Sequence, residues 1–255
     1  MKNKQEIRRA AIMEFLIKKN EVSTAELMER YNVTSETIRK DLVYLENLGA
    51  IEKRYGKAVL TASYLEKPVN IRLQHEHAQK EKIGAEAAKL IQDGTVVFID
   101  GGSTALQVAE HIASRRNITI VTNSLPVAQC LLSQEGDNEV YLCGGFVKRG
   151  AMTTKGLFTY ESLSSFKTSI AFMGTNGMLY HDGATCKDYD DIEIKNVAMR
   201  QAERSILLCA SNKFEKGAVL QYAKWEEFSC IITDGYLSDE SRRRLNRYTQ
   251  VQVIE

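Results

Sequence analysis

The sequence predicts two domains, an N-terminal winged helix-turn-helix and a mostly parallel α/β body. In the first 60 positions apolar residues recur at helical spacing, and a short basic hairpin follows. Farther along, short apolar runs alternate with amphipathic stretches, which is typical of a parallel sheet covered by helices. The charge divides in the same way, since residues 1–60 hold an excess of Lys and Arg while the whole chain carries only +1. We therefore predict a winged helix-turn-helix head (1–60), a linker (61–78) and an α/β body (79–255).

Composition excludes several other classes of protein. The chain has 255 residues, of which 44% are hydrophobic, with 16 Gly and 2 Pro, so neither disorder nor collagen is expected. No apolar run reaches the ~18 to 20 residues of a membrane span, and no signal-peptide core follows the first residues. We expect a cytoplasmic protein with no membrane partner.

Metal and cofactor sites are not predicted. The five cysteines are widely spaced and mostly lie in apolar runs, which favours buried thiols over disulfides or zinc. His75 and His77 could hold a metal, but their charged surroundings favour a solvated helix. The sequence lacks the glycine-rich motifs G-x-G-x-x-G and G-x-x-x-x-G-K-S/T, which bind dinucleotides and nucleoside triphosphates, so we expect no cofactor.

The head contains signals for three helices and a hairpin. A first helix is expected over about 5–19, because apolar residues recur there at helical spacing, at Ile7, Ala10, Ala11, Phe15 and Ile17. Ser23 to Glu26 forms a capping box that opens a short second helix. Thr34 or Ser35 caps a third, and its inward stripe is Ile38, Leu42 and Leu45. Two β-like runs around Tyr55-Gly56-Lys57 complete a winged helix-turn-helix.

The third helix is the candidate for reading DNA. With its apolar stripe inward, Ser35, Glu36 and Arg39 face outward near the N-terminal end, where a helix in the major groove meets base edges. The alternative is that these charges only solvate an exposed face. The capped helix ahead and the basic hairpin behind favour double-stranded DNA as the partner. The predicted DNA contacts are Ser23, Thr24, Thr34, Ser35, Glu36, Thr37, Arg39, Lys40, Arg54 and Lys57.

The body is expected to bind a ligand at the carboxyl ends of its strands, as parallel sheets do. The strands are predicted at 96–99, 118–122, 139–143, 170–173, 206–210, 231–233 and 251–254, and the helices at 78–91, 103–114, 125–133, 190–204 and 238–247. Loops rich in Gly, Ser, Thr and Asn follow five of these strands. The predicted ligand contacts are Asp100, Gly101, Gly102, Ser103, Thr104, Thr122, Asn123, Ser124, Gly144, Gly145, Gly174 and Lys213.

Each loop alone is weak evidence, because tight strand-to-helix turns need such residues whatever their function. Five of them at one edge of a sheet favour a small anionic ligand, with free N–H groups and hydroxyls at the start of a helix around Ser103 meeting a phosphate.

Two stretches resemble the DeoR-type bacterial transcriptional regulators. The first is Val22 to Ile51, which contains the family-specific sequence motif Thr37-Ile38-Arg39-Lys40-Asp41-Leu42. The second is the set of body motifs, led by Asp100-Gly101-Gly102-Ser103-Thr104 and Val121-Thr122-Asn123-Ser124. The resemblance implies a sensor domain related to ribose-5-phosphate isomerase and glucosamine-6-phosphate deaminase, which binds a phosphorylated sugar and changes operator affinity. It also implies repression of a sugar operon.

The sequence departs from the family pattern at two places. The wing has Arg54-Tyr55-Gly56-Lys57-Ala58 where Arg-x-His-Gly-Gly-Ala is commoner, which keeps a turn glycine. Ala210 stands where the family usually has Asp, three residues before Lys213. The missing carboxylate is expected either to change which sugar hydroxyls are read or to weaken binding, while Lys213 stays in place.

Two other functions are compatible with these motifs. One is a phosphosugar isomerase or deaminase with an accessory DNA-binding domain, but no carboxylate cluster forms a sharp catalytic motif. The other is a DNA-architectural protein without a ligand, which leaves the loop motifs unused. Since one winged head contacts few base pairs, we expect a homodimer or tetramer assembled through the body.

Overall fold

The computed structural model describes residues 4–61 and 69–255; residues 62–68 of the predicted linker lie outside the described part. The head has the predicted winged architecture. Ser23 accepts a hydrogen bond from the Glu26 amide at 3.1 Å and Thr34 from the Thr37 amide at 3.3 Å, so both expected caps are present. The head elements are α1 (Lys4–Lys19), β1 (Glu21–Ser23), α2 (Thr24–Tyr31), α3 (Ser35–Asn47), β2 (Ile51–Arg54) and β3 (Lys57–Leu60).

The wing is a three-stranded antiparallel sheet in the order β1-β3-β2. Tyr55 and Gly56 form its two-residue turn with φ of 44° and 77°, the left-handed pair that a tight hairpin requires. The predicted inward stripe of α3 is confirmed, since Ile38, Leu42 and Leu45 are all buried.

The first helix forms where it was predicted, but only part of its periodic apolar set is buried. Ile7 and Ile17 are 48% and 42% exposed, and the buried residues are Ala10, Ile12, Met13 and Leu16. Apolar residues lie on more than one side of this helix, so its periodicity does not fix which side packs. Contacts with α3 and the wing decide that orientation.

A buried carboxylate joins α1 to α3. Asp41 is fully buried and accepts hydrogen bonds from Nε of Arg8 at 2.5 Å and Nε of Arg9 at 2.9 Å. The Arg9 guanidinium also lies 3.8 Å from the centre of the Tyr44 ring. Asp41, the acidic residue of the motif Thr37 to Leu42, therefore holds the two helices together and does not face outward.

The body is built on a seven-stranded sheet in the order β14-β13-β11-β9-β4-β5-β6, with every neighbouring pair parallel. Two antiparallel pairs, β7-β8 and β10-β12, lie outside it. The body elements are α4 (Val69–Gln74), α5 (His77–Ala88), β4 (Val96–Ile99), α6 (Ser103–Glu110), β5 (Thr119–Thr122), α7 (Leu125–Leu132), β6 (Glu139–Leu142), β7 (Phe146–Lys148), β8 (Thr153–Lys155), α8 (Leu157–Ser164), β9 (Thr168–Gly174), β10 (Gly183–Cys186), α9 (Tyr189–Gln201), β11 (Ala202–Leu208), β12 (Leu220–Lys224), β13 (Cys230–Asp234), α10 (Asp239–Leu245) and β14 (Gln250–Ile254).

Alternate residues of the central strands pack against opposite layers. Ile99 and Phe172 belong to the cluster under α5 and α6, whereas Phe98 and Met173 belong to the cluster under α9. Gly84 permits close packing of α5 on α6, since a Cβ there would lie 2.3 Å from the Cβ of Gln107. Both faces of the sheet are covered, as the apolar strands predict.

The sequence prediction differs from the structure in two parts of the body. Residues 202–204, predicted as the end of a helix, belong to β11 because the strand pairs with β9 from Ala202 onward. The predicted linker is helical at α4, which packs on α6. The pairs β7-β8 and β10-β12 and helix α8 were not predicted, since their short segments lack a clear apolar period.

None of the helices in the described ranges is long and apolar enough to cross a membrane. Within the same ranges, no group of three or more His, Cys, Asp or Glu side chains is arranged to hold a metal ion.

We predict that Asp41→Asn destabilises the head by about 2 to 3 kcal/mol, because it leaves two arginines without their shared carboxylate. Breaking a fully buried ion pair costs ~3–5 kcal/mol of stability, and we expect a smaller loss here because both arginines keep contact with water. Urea unfolding followed by far-ultraviolet circular dichroism measures it, and fluorescence of Trp225, the one tryptophan, reports on the body separately. Glu29→Gln, on the exposed side of α2, is the control; equal unfolding midpoints for the two variants would contradict the prediction.

Candidate nucleic-acid interface and ligand cavity

The N-terminal half of α3 presents a polar exposed face. Ser35, Glu36, Arg39 and Lys40 are all exposed. The Glu36 carboxylate receives two hydrogen bonds from the Arg39 guanidinium at 2.7 and 2.8 Å. This pair lowers the pKa of Glu36 and orients the guanidinium along the helix face. The remaining guanidinium donors are directed to solvent, where a base edge or phosphate could accept them.

Several other predicted DNA contacts have structural roles in the head. Ser23 and Thr34 cap α2 and α3, while the Thr24 hydroxyl donates to the Gly56 carbonyl at 3.0 Å and holds the wing against α2. Thr37 is partly buried beside Thr34. On the wing, Arg54 pairs with Glu52 and Lys57 with Glu21, each at 2.6 to 2.7 Å and half exposed or more.

A cavity of about 460 Å³ opens at the carboxyl ends of β4, β9 and β11. It lies where a parallel sheet binds ligands and has the size of a small-molecule site. The loop after β4 and the segment after β11 form its two sides. Helix α4 forms a third, and Leu48 and Gly49, from the C-terminal end of α3, close it on the side of the head.

Asp100 fixes the floor of this cavity. Its carboxylate accepts hydrogen bonds from the amides of Gly101 and Gly174, at 2.8 and 2.9 Å, and also from the Lys195 ammonium. Lys195 donates in addition to the Gly174 carbonyl at 3.0 Å. The ends of β4 and β9 and the middle of α9 are thereby joined through one carboxylate.

The cavity lining is cationic. Six Lys or Arg and three Asp or Glu line it among the described residues, and Lys195 is already paired with Asp100. The cations are Arg72, Lys80, Lys187, Lys195, Lys213 and Lys216, and the acids are Glu76, Asp100 and Asp191.

Lys213 lies in this lining, close to other cations. Burial lowers the pKa of its ammonium, and Lys216 and Arg72 lower it further. Within the described ranges no carboxylate lies at ion-pair distance from it. Burial also lowers the pKa of Lys80 to about 8, although Glu76 opposes the shift, and the Lys80 ammonium donates to the backbone carbonyls of Arg72 and His75. A bound anion would stabilise the charged form of both lysines.

A second ion network supports the wall beside Asp191. Lys155 is 2% exposed and bonds Asp188 at 2.8 Å and Asp191 at 2.5 Å. Although burial opposes it, Lys155 together with Lys148 lowers the pKa of Asp188 to about 2. Burial raises the pKa of Asp191, against the influence of Lys155.

Three buried polar atoms of the lining have no hydrogen-bond partner within the described residues. They are Oδ1 of Asn123, Oγ1 of Thr153 and Oδ1 of Asn212. The Asn123 amide nitrogen donates to the Thr154 carbonyl, which leaves its oxygen free to accept. Unpaired acceptors of this kind suit hydroxyl groups of a ligand, because a buried acceptor without a donor is costly.

The structure brings together eight of the twelve predicted ligand contacts. Lys213 reaches the cavity from a single 3-10 turn (Ser211–Glu215) after β11. A Cβ at Gly101 would lie 2.2 Å from the Cγ2 of Thr153, so the loop after β4 needs glycine there. The eight are Asp100, Gly101, Gly102, Ser103, Thr104, Asn123, Gly174 and Lys213.

The other four predicted contacts lie outside the lining, and each has a structural role. The Thr122 hydroxyl donates to the Ile99 carbonyl at 2.7 Å, and Ser124 caps α7. The Gly144 carbonyl accepts a hydrogen bond from Thr159, and a Cβ at Gly145 would lie 2.3 Å from the same hydroxyl oxygen. These four positions serve turns and caps beside the cavity, and their role as ligand contacts stays a prediction.

Most of the cationic lining was missed by the sequence analysis. Arg72 lies in the segment predicted as linker, and Lys80 lies near the start of the helix predicted at 78–91, outside the apolar side assigned to that helix. Lys195 lies on α9, far from any strand end in sequence. Lys216 could have been found from the sequence, because it follows the predicted ligand contact Lys213 by only three residues.

Comparison with known proteins identifies both parts of the chain. The model of the DeoR-like helix-turn-helix domain matches residues 8–63, and that of the DeoR C terminal sensor domain matches residues 75–235. The HTH-type transcriptional repressor GlcR of Bacillus subtilis is 33% identical over 90% of this chain and 88% of its own. The glycerol-3-phosphate regulon repressor of Escherichia coli is 30% identical over 91% of each chain. A ribose 5-phosphate isomerase structure from Methanocaldococcus jannaschii aligns with 54% of each chain at 16% identity and a TM-score of 0.38.

We predict that Arg39→Ala lowers the affinity for a specific DNA site by roughly 1 to 3 kcal/mol, as expected for loss of a base contact, while affinity for random DNA changes little. Lys57→Ala should weaken both DNAs alike and lower the salt dependence by about one counterion. Both effects are measured by fluorescence anisotropy titrations at several salt concentrations. The two DNA duplexes are the region upstream of the gene that encodes this chain and a shuffled version of the same sequence. An equal loss on both duplexes for Arg39→Ala would reduce its role to a phosphate contact.

Proposed function

Because this chain belongs to the DeoR family of helix-turn-helix transcriptional regulators, we propose that it is a repressor whose operator affinity changes when a phosphorylated sugar occupies the body cavity. The single observation that carries this proposal is the cationic cavity whose wall includes the C-terminal end of α3. The helix that presents Arg39 to DNA and the site that receives the ligand are thereby in contact.

The charge of the cavity supports a phosphorylated ligand. A phosphate ester brings about two negative charges near neutral pH. Lys213 and its cationic neighbours raise the free energy of the empty cavity by mutual repulsion, which such an anion relieves. The amides at the start of α6 add donors that suit phosphate oxygens. The unpaired oxygens of Asn123 and Asn212 suit the hydroxyl groups of the sugar.

The contacts between head and body support coupling to DNA. The Tyr44 hydroxyl lies 3.2 Å from Nε2 of His181, and Leu48 packs beside Gly217. Leu48 and Gly49 also line the cavity. A ligand that moves this wall changes the position of α3, so occupancy and operator affinity are linked reciprocally. Two heads on a repeated operator require a homodimer or tetramer, which we include in the proposal.

A phosphosugar isomerase or deaminase is the rival function. Proton transfer at a sugar carbon needs a general base with a free lone pair directed at the substrate. Asp100 accepts three hydrogen bonds and Asp191 is paired with Lys155, which disfavours either as that base. Incubation with a panel of phosphosugars, followed by chromatography, tests the rival directly, because any isomerised or deaminated product would establish it.

The first test concerns Lys213. We predict that Lys213→Met abolishes the effect of the ligand on operator binding and leaves operator affinity without ligand unchanged, since the ammonium faces the cavity and not the DNA. The ligand is identified first by a thermal-shift panel of sugar phosphates, where saturation at a hundred times the Kd stabilises the native state by ~2.7 kcal/mol.

Lys167→Met removes the same charge from an exposed position on the body and is the matched control. It should respond to the ligand as the unmodified protein does. A full response by Lys213→Met at unmodified ligand concentrations would place the site elsewhere.

The second test concerns pH. A bound dianion favours the charged forms of Lys80 and Lys213, so it raises their pKa values and binding takes up protons where these lysines are partly neutral. Lys80, with a pKa of about 8, sets the window. We therefore expect the affinity for the sugar phosphate to fall as pH rises from 7 to 9. Calorimetry at pH 8 in two buffers of different ionisation enthalpy measures the uptake; an affinity that is constant across this range would contradict the prediction.

A further inference from the structure

Strand β6 is an open edge of the seven-stranded sheet. It pairs with β5 on one side and ends the strand order on the other. The amides of Glu139 and Cys143 donate toward β5, at 3.0 and 2.8 Å. Because alternate residues of a strand direct their backbone groups to opposite sides, Val140 and Leu142 direct theirs to the outer edge. An exposed edge of this kind is a template for another strand.

A concentration of exposed apolar side chains surrounds this edge. The Tyr141 ring packs 5.1 Å from the ring of Phe166, and Phe146 pairs with Lys155, which precedes α8. The Thr159 hydroxyl bonds the Gly144 carbonyl, so the start of α8 lies beside the end of β6. We call these side chains the β6 patch: Tyr141 (45% exposed), Leu142 (44%), Phe146 (72%), Val147 (40%), Leu157 (67%) and Phe158 (74%).

The area of the β6 patch matches that of a dimer interface. At about 200 Å² for each whole side chain, the exposed fractions amount to roughly 600 to 700 Å² of apolar surface per copy. A typical monomer has a largest patch of about 300–600 Å², and a standard interface buries about 800 Å² per partner. With the backbone of β6 added, the patch reaches the size that a stable dimer needs.

We propose that the β6 patch is the interface with a second copy of this chain, in which two β6 strands pair antiparallel about a twofold axis through Tyr141. In this register Val140 faces Leu142 of the second copy, and these are the residues with outward backbone groups. Tyr141 faces its own equivalent, and Glu139 faces Cys143 of the second copy, so no like charges meet. A strand that satisfies its own edge in this way forms an isologous, closed contact.

The pairing turns the sheets of two bodies into one continuous sheet. A twofold axis between the bodies also relates the two heads, as a repeated operator requires. This interface rests on the proposed function in one respect, because it is the binding of a repeated operator that requires two heads. The register, the open edge and the apolar area are independent of what the cavity binds.

Sedimentation equilibrium of the full chain, without DNA or ligand, tests the proposal. The unmodified protein should sediment as a dimer or an even multiple of it at 10 µM or below, at concentrations where Leu142→Lys/Phe158→Lys sediments with half that mass. Tyr180→Lys/Tyr236→Lys, at 62% and 79% exposed positions outside the β6 patch, is the control and should keep the unmodified mass. A monomeric unmodified protein, or an assembly that survives Leu142→Lys/Phe158→Lys, would overturn the proposal.

Cross-linking tests the register itself. Residues opposite each other at a non-hydrogen-bonded antiparallel position have Cα atoms about 4.5 Å apart, within the range of a disulfide. Tyr141→Cys in a Cys130→Ser background should therefore form a covalent dimer under mild oxidation, and Tyr236→Cys in the same background should not. Monomeric Tyr141→Cys after oxidation would exclude this register.

The two proposals fail separately. Thermal shift by the sugar phosphate in monomeric Leu142→Lys/Phe158→Lys reports on the cavity alone. A monomeric unmodified protein with an intact shift would overturn the interface alone, whereas the absence of a shift in every variant would overturn the proposed ligand and leave the interface standing.

Discussion

The carboxylate of Asp100 is the interaction on which the cavity depends. It accepts from the two amides that begin the loops after β4 and β9 and from an ammonium on α9, so three separate parts of the chain meet at one group. Lys195 is paired with Asp100 there, whereas no carboxylate of the described residues lies at ion-pair distance from Lys213, which also lines the cavity. In the proposed function the phosphate of the ligand would therefore lie nearer to Lys213 than to the Asp100–Lys195 pair.

Helix α3 connects that charge to DNA because its two ends have different environments. Its N-terminal half is exposed and polar, while Leu48, just after its end, lies in the cavity wall. A helix of 13 residues is about 20 Å long and behaves as a rigid rod on this scale. A shift at one end is therefore transmitted to the other. Asp41 strengthens this connection, since the same buried carboxylate that holds α1 makes the head move with α3 as one unit.

Much of the fold could be predicted from periodicity and caps, but the site only in part. Ile38, Leu42 and Leu45 are spaced so that one helix face is apolar, and the strand ends at Asp100 and Gly174 follow from apolar runs. The inward face of α1 was not determined because that helix is apolar on several sides. Lys80 and Lys195 were missed for a different reason: they reach the cavity through helices that pack back over the sheet, and sequence spacing does not show which residue such a helix presents. Thr122 and Ser124 were predicted as ligand contacts but have structural roles next to the cavity, since turns and ligand sites use the same residue types.

The β7-β8 hairpin places the cavity and the β6 patch on one small element. Thr153 and Ala151 line the cavity, while Phe146 and Val147 belong to the β6 patch, and backbone pairing joins Phe146 to Lys155 and Lys148 to Thr153. A ligand that displaces Thr153 therefore acts on the interface as well as on α3. The cavity can thus be coupled to DNA through α3 or through the β7-β8 hairpin. The contact with α3 lies within one chain, whereas the hairpin can act only across the proposed interface between two chains. In the proposed dimer, coupling through α3 would act within each chain and coupling through the hairpin would act only between two chains, so the oligomeric state would affect sensing as well as operator recognition.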